Sequence, residues 1–310
     1  MPRANRHYLP GYVWHITHRC HKKEFLLKFA RDRRRWLQWL FHAKKRFGLK
    51  VLNYMLTSNH IHLLVADNGD RDTIPNSIQL IAGRTGQEFN QRKARKGAFW
   101  EDRYHATAVE TDKHLLKCLV YIDLNMVRAG VVNHPSEWPF CGYNEIQKPR
   151  NRYALVNYEE LKGLLGFDNM EDLINAHRVW IEASLNEMKH GRESKWTETI
   201  AVGSRSFVEQ TKQRLGTRAI GRKVMDKGAS YELREPEAPY NSDFGPESAN
   251  LRLKNTYVGR FLNAGDGNIQ KIITFLINWR FFWPLGQGRL TIFIDDCISR
   301  PGEIKEDFTG

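Results

Sequence analysis

The sequence lacks the cysteine spacing of a disulfide framework or a zinc site, because its four cysteines stand far apart and include no CxxC pair. It also lacks a long apolar run. The most apolar stretch, residues 272–283, is interrupted by Asn278 and Arg280 and is too short to span a bilayer. The first twelve residues contain no apolar segment of the kind found in secretory signals. These absences predict a protein of the reducing cytoplasm with no membrane partner.

Positive charge is abundant and unevenly placed. The 310 residues carry a formal net charge of +13, and 41% of them are hydrophobic, which is enough for a core. Residues 1–150 hold 26 Lys and Arg against 13 Asp and Glu, so all of the excess lies in this half. A basic half predicts a polyanionic partner, and nucleic acid is favoured over an acidic membrane surface.

The spacing of apolar residues predicts seven elements before residue 128. Strands are expected at 11–19, 49–56, 60–65 and 99–110, and helices at 31–47, 74–92 and 111–127. The resulting βαββαβ order predicts an α+β fold with a ferredoxin-like or RRM-like antiparallel sheet and helices on one face.

The second half changes character, with helices predicted at 158–165, 170–188 and 206–215. We therefore divide the chain into a catalytic domain at 1–145, a mainly helical extension at 146–255 and an atypical tail at 256–310. The extension is a candidate additional DNA-binding region.

Two histidines on the third predicted strand are the first candidate site. Side chains two residues apart on a strand project from the same face, so His60 and His62 point together, at a spacing suited to one metal ion. Two unrelated histidines on a polar strand would show the same pattern, so the pair alone is a weak signal.

A tyrosine and an asparagine on the seventh element are the second candidate. Residues four apart on a helix are neighbours, which places Tyr121 beside Asn125. Asp123 is expected to face away from Tyr121 as a solvated or capping charge. Taken alone, Tyr121 fits a half-buried core position better than a catalytic one.

The two candidates gain meaning together. A phenol with an ordinary pKa of about 10 is a poor nucleophile at neutral pH, so attack on a phosphodiester needs a cation that polarises the phosphate. Two imidazoles and an amide oxygen could hold Mg²⁺ or Mn²⁺ and leave positions for phosphate oxygens.

Four blocks of sequence resemble the single-tyrosine transposases of the HUH superfamily, and among them the REP-associated tyrosine transposases. They are YVWHIT from residue 12, NHIHLL from residue 59, GAFWEDRY from residue 97 and YIDLNMVRAG from residue 121. The resemblance covers residues 8–142. Close relatives often have Pro after the asparagine, where this chain has Met126.

The resemblance implies a metal-dependent endonuclease that cuts single-stranded DNA next to a hairpin and joins a tyrosine to the 5′ phosphate. By position, Tyr121 would be the nucleophile, His60 and His62 metal ligands, and Asn125 the third ligand. The protein would act as a monomer or a homodimer.

Residues expected to contact DNA are basic or aromatic, since cations neutralise phosphates and exposed rings stack on unpaired bases. They are Arg84, Arg92, Lys93, Arg95, Lys96, Trp100 and Arg103. The histidines His15, His18 and His21 are expected to pack on the sheet or to face DNA, not to form a second metal site.

Two alternatives stay open at this point. One is an autonomous insertion-sequence transposase of the same superfamily. The other is a nucleic-acid-binding protein without activity, either on an RRM-like sheet or as a catalytically decayed copy, and the unusual C-terminal tail keeps that reading open.

Overall fold

A computed structural model describes residues 9–111, 113–187 and 193–234, so the tail predicted at 256–310 lies outside the described residues. The strands are β1 (Val13–Arg19), β2 (Lys50–Leu56), β3 (His60–Ala66), β4 (His105–Val109), β5 (Thr199–Gly203), β6 (Lys223–Asp226) and β7 (Tyr231–Arg234). The helices are α1 (Ala30–Phe47), α2 (Thr73–Arg92), α3 (Lys113–Asp123), α4 (Asn125–Arg128), α5 (Gly142–Gln147), α6 (Tyr158–Leu164), α7 (Met170–Asn186), α8 (Lys195–Glu198) and α9 (Arg205–Leu215).

The first four strands form the predicted ferredoxin-like sheet, in the order β2-β3-β1-β4 with every neighbouring pair antiparallel. This order follows from the βαββαβ sequence, because each helix connects two strands that have one other strand between them in the sheet. The α+β fold class is therefore confirmed. The predicted strand at 99–110 is shorter in the structure, where β4 begins at His105.

Alternation along the central strands divides their side chains between two faces. Thr17 of β1 lies opposite His62 of β3, and His15 lies opposite Leu64. Since directly opposed residues project from the same side, His15, Thr17, His60 and His62 share one face of the sheet, here called the site face.

Helices cover both faces of the sheet, whereas the sequence predicted them on one. Helices α1 and α2 pack against each other on the side opposite the site face, where Trp100 stacks on His18 and donates to the carbonyl of Ala82 in α2. Helix α3 lies on the site face, because Asn53 of β2 donates to the carbonyl of Leu119 at 3.4 Å. A fully buried sheet explains why β2 and β3 read as nearly continuous apolar runs.

The extension continues the same sheet. Strand β5 pairs in parallel with β4 at Ala108–Ala201 and Val109–Val202, and β7 and β6 follow as antiparallel neighbours to complete seven strands. The predicted helices of the extension correspond to α6, α7 and α9, but the three strands were not predicted. Each of them is only four or five residues long, which is too short for a clear alternation pattern.

The C-terminal end of α1 and the burial of two tryptophans agree with the sequence-based predictions. Gly48 ends α1 as predicted, in the left-handed conformation with φ of 70°. Trp14 and Trp36 are buried. Within the described residues, no helix is both long and apolar enough to cross a bilayer.

Candidate functional site

Strand β3 brings the two predicted histidines together. Their ring centroids lie 5.0 Å apart and the rings are nearly perpendicular, at 81°. His60 is half-buried at the first position of the strand, and His62 is 1% exposed. The prediction that both imidazoles project from one face is confirmed.

The loop before β3 orients the ring of His60. Its Nδ1 lies 2.7 Å from Oδ1 of Asn59 and 3.0 Å from the hydroxyl of Thr57. An amide oxygen can only accept, so Nδ1 carries the proton and the lone pair of the neutral ring is on Nε2. Nε2 is therefore the metal-binding atom that this residue can offer.

His62 is held on both sides. Its Nδ1 lies 2.9 Å from Nε2 of His15, and its Nε2 lies 3.0 Å from Nδ2 of Asn125. His15 in turn contacts the carbonyl of Trp196 through Nδ1 at 2.8 Å. The predicted site residues His62 and Asn125, which come from a strand and from α4, are thus in direct contact.

His15 is completely buried rather than exposed to DNA. Burial lowers the pKa of His15 to about 3, the hydrogen bond to Trp196 acts in the opposite direction, and the nearby His105 lowers it further. His15 is therefore neutral at physiological pH. Sequence reasoning missed its contact with His62, because the 47 residues between them hide a pairing that only the sheet creates.

Tyr121 lies on α3 above the site face and is 4% exposed. Its ring centroid lies 6.0 Å from that of His62 and 6.2 Å from that of His15, and both histidine rings are nearly perpendicular to it, at 85° and 78°. The ring of Trp196 is 6.0 Å away. The structure thus places the predicted nucleophile next to the histidine that would hold a metal ion.

Arg128 is a component of the site that sequence reasoning did not assign. Its Cζ lies 4.0 Å from the centroid of the Tyr121 ring, and Nη2 donates to the Tyr121 carbonyl at 2.6 Å. Burial lowers the pKa of Arg128, and Tyr121 acts in the opposite direction. The spacing of seven residues, two helical turns, was the signal that could have revealed this contact.

The prediction for Asp123 was wrong. Its side chain is completely buried, with Oδ2 2.8 Å from Nε2 of His177 and Oδ1 accepting from Nδ2 of Asn53 at 3.0 Å. Gln147 in turn contacts Nδ1 of His177 at 3.0 Å. Asp123 is thus a fixed attachment of the tyrosine helix to α7 of the extension and not a solvated charge.

The site residues fit a divalent cation. Among the described residues, no three His, Cys, Asp or Glu side chains form a metal-binding group, so an ion on His60 and His62 needs an oxygen of another kind. The side-chain amide of Asn125 contacts His62 and can supply it, since the amide oxygen and nitrogen exchange places by rotation. An amide oxygen suits Mg²⁺ and Mn²⁺, whereas imidazole is more typical of the later transition metals, so the choice of Mg²⁺ or Mn²⁺ stays a prediction.

The predicted DNA-binding residues differ in exposure. Arg84, Arg92, Lys93, Lys96 and Arg103 are exposed. Arg95 is half-buried and donates to the carbonyl of Ala98 at 2.8 Å. Trp100 packs its ring on His18 at 4.1 Å between centroids. A role in binding DNA stays a prediction for all seven.

A basic cleft of about 520 Å³ lies between α1 and α2. Its lining includes four arginines, Arg31, Arg34, Arg35 and Arg92. Two of them are paired, because Arg35 contacts Glu88 at 2.6 Å and Arg92 contacts Asp32. The cleft therefore keeps a positive balance, which suits phosphate contacts.

The chain is similar to known proteins in sequence and in structure. Residues 10–125 match the profile of a family described as IS200-like transposases. No curated protein compared with the chain matches it. A solved REP-associated tyrosine transposase bound to a REP hairpin is 20% identical, with a TM-score of 0.41 over 50% of this chain and 90% of that one. A protein from Deinococcus radiodurans R1, provisionally assigned as a transposase, is 14% identical, with a TM-score of 0.28 over 38% and 92%.

Proposed function

We propose that this chain is a metal-dependent strand transferase that cuts single-stranded DNA next to a hairpin of the REP type, since residues 10–125 match the profile of a family described as IS200-like transposases. One observation carries the proposal. Within the segment that matches the family, the fold brings Tyr121, His62 and Asn125 into one contact group from separate elements.

The chemistry assigned to Tyr121 is a phosphoryl transfer. The phenol oxygen attacks the scissile phosphorus, the bond from oxygen to phosphorus forms, and the bond to the 3′ oxygen breaks. The phenol proton passes to water, and the leaving 3′ oxygen takes up a proton. The product is a 5′ phosphotyrosine and a free 3′ hydroxyl, which can attack the linkage in reverse and rejoin strands.

Arg128 would support this step electrostatically. Its guanidinium lies against the ring of Tyr121 and would stabilise the negative charge of the phenolate, in a half-buried setting where charge interactions are stronger than in bulk water. His60, His62 and Asn125 would hold Mg²⁺ or Mn²⁺, which when bound supplies polarisation of the scissile phosphate. The exposed basic residues Arg92 and Lys93 would bind the DNA backbone.

A denaturing-gel assay tests the proposal. The full chain is incubated with labelled single-stranded hairpins, taken from repeats that flank its gene, with Mg²⁺ or Mn²⁺ or with chelator. We expect a metal-dependent, protease-sensitive band of covalent protein–DNA adduct. Tyr121→Phe should abolish the band with little change in DNA affinity, whereas Tyr12→Phe, at another buried tyrosine, should retain it.

Two outcomes would overturn the proposal. If Tyr121→Phe still forms the adduct, Tyr121 is a core residue and the nucleophile lies elsewhere. If the wild-type chain binds the hairpins tightly but forms no adduct with any of them, the chain is a DNA-binding protein without activity. Substitution of His60 and His62 by alanine should remove cleavage while the domain stays folded, and full cleavage in the presence of chelator would refute the metal assignment.

A further inference from the structure

A continuous hydrogen-bond series runs from the extension into the metal site. It starts at the main-chain carbonyl of Trp196, passes through both ring nitrogens of His15, then through both of His62, and ends at Asn125. The three contacts measure 2.8, 2.9 and 3.0 Å. Both histidine rings are almost completely shielded from bulk solvent.

The direction of this series is determined at its first member. A carbonyl oxygen can only accept a hydrogen bond, so Nδ1 of His15 must carry the proton. A neutral His15 then has its lone pair on Nε2, and this atom must accept from Nδ1 of His62. His62 in turn is left with its lone pair on Nε2, the atom that faces Asn125.

We propose that His15 is a positioning residue that fixes His62 in the tautomer able to bind a metal ion, under the control of the Trp196 carbonyl. The proposal rests on the metal-dependent function proposed above. A ring whose Nδ1 proton lacks an acceptor is free to place the proton on Nε2, where it blocks the ligand atom. Partners of this kind usually change metal affinity by roughly 10- to 100-fold.

The extension is therefore part of the site. Trp196 lies 181 residues after His15 along the chain, and its carbonyl is held in place by its surroundings. The hydroxyl of Thr107 in β4 lies 3.3 Å from the Trp196 carbonyl and 2.7 Å from that of Thr199, where β5 begins. The pairing of β5 with β4 thus brings an acceptor to the rear of the metal site.

A neighbouring histidine provides a matched control. His105 lies on the same face of the sheet, opposite Thr17, and its Nε2 contacts the carbonyl of Thr199 at 2.9 Å. Like His15, it joins the sheet to a carbonyl of the extension. The hydrogen-bond series that reaches His62 runs through His15 and ends at Asn125.

The first measurement is Mn²⁺ affinity of the full chain by titration calorimetry. We expect His15→Phe to weaken binding by about 10- to 100-fold, because the aromatic ring fills the space but cannot accept a hydrogen bond. His15→Gln should stay within about threefold of wild type, since its amide oxygen reaches the former position of Nε2. His105→Phe should also leave the affinity nearly unchanged. Unfolded variants are recognised by circular dichroism.

The second measurement reads the tautomer of His62 directly in the metal-free protein. Long-range ¹H–¹⁵N correlation spectra should show the proton on Nδ1 in the wild type and a mixture of tautomers in His15→Phe. A single unchanged tautomer in a folded His15→Phe, or unchanged Mn²⁺ affinity in this variant while His62→Ala loses it, would overturn the inference. If His62→Ala also binds Mn²⁺ normally, the proposed metal site itself is wrong, which separates the two failures.

Discussion

Replacement of His177 by leucine should destabilise the chain strongly, although His177 lies outside the segment that matches the transposase family. The side chains of His177 and Asp123 are both 0% exposed. The substitution preserves an apolar volume similar to that of the imidazole but removes the donor to Oδ2 of Asp123. Asn53 would remain as the partner of Oδ1.

The expected loss follows from the burial of this carboxylate. Removal of one partner from a buried, hydrogen-bonded pair leaves an uncompensated charge, which costs about 3–5 kcal/mol. Total folding free energies are about 5–15 kcal/mol, so the variant would lose about a fifth or more of its stability. With an m value of about 2 kcal/mol per molar, the urea midpoint would fall by about 2 M.

Urea unfolding of three variants tests this reasoning. Glu182→Gln removes an exposed pair on the same helix, 3.4 Å from His134, and should cost no more than about 1 kcal/mol. The double variant Asp123→Asn with His177→Leu should be more stable than His177→Leu alone, because the buried charge is gone. Equal losses for His177→Leu and Glu182→Gln would show that Asp123 is not held as a buried carboxylate.

Three further perturbations have expected outcomes. Arg128→Met should slow adduct formation about tenfold or more and move the half-maximal rate to higher pH, because a cation 4.0 Å from the Tyr121 ring no longer stabilises the phenolate. Single-turnover gels over a pH series measure the rate of adduct formation. An unchanged pH profile would exclude stabilisation of the phenolate by Arg128. Burial raises the pKa of both Cys20 and Cys141 to about 12, so at pH 8.5 iodoacetamide should modify these thiols more than 100-fold more slowly than in the unfolded chain, as read by peptide mass spectrometry. Rapid modification of the native protein would contradict their burial. Glu145→Gln should lower the free energy of unfolding, measured by thermal unfolding, by about 2–3 kcal/mol, since the Glu145 carboxylate accepts from two backbone amides and two tyrosine hydroxyls. A loss below about 0.5 kcal/mol would mean that those donors find other partners.

The parts of the site that could be predicted are those set by local periodicity. The two-residue period of a strand places His60 and His62 on one face, and the four-residue spacing places Tyr121 near Asn125 even though the helix is divided at Leu124. The same helical spacing could have predicted the contact between Arg128 and Tyr121. The antiparallel order of the first four strands also followed from the alternation of strand and helix.

The parts that could not be predicted depend on long-range pairing. Asp123 looks like a surface charge in any helical pattern, and its partner His177 comes 54 residues later. His15 gains its contact with His62 only through strand register. The pairing of β5 with β4 brings Trp196 to the site. It involves only two pairs of residues, which is too few for an alternation pattern that could be recognised in the sequence.

The buried pair between Asp123 and His177 also determines the order in which parts of the site can form during synthesis of the chain. Asp123 on the tyrosine helix leaves the ribosome 54 residues before its buried partner His177, a delay of roughly 3–11 s at ordinary rates of translation. The acceptor on Trp196 emerges later still. A nascent chain therefore carries Tyr121 before it carries the contacts that hold the tyrosine helix in place, and the activity proposed for Tyr121 would be delayed until the extension has folded.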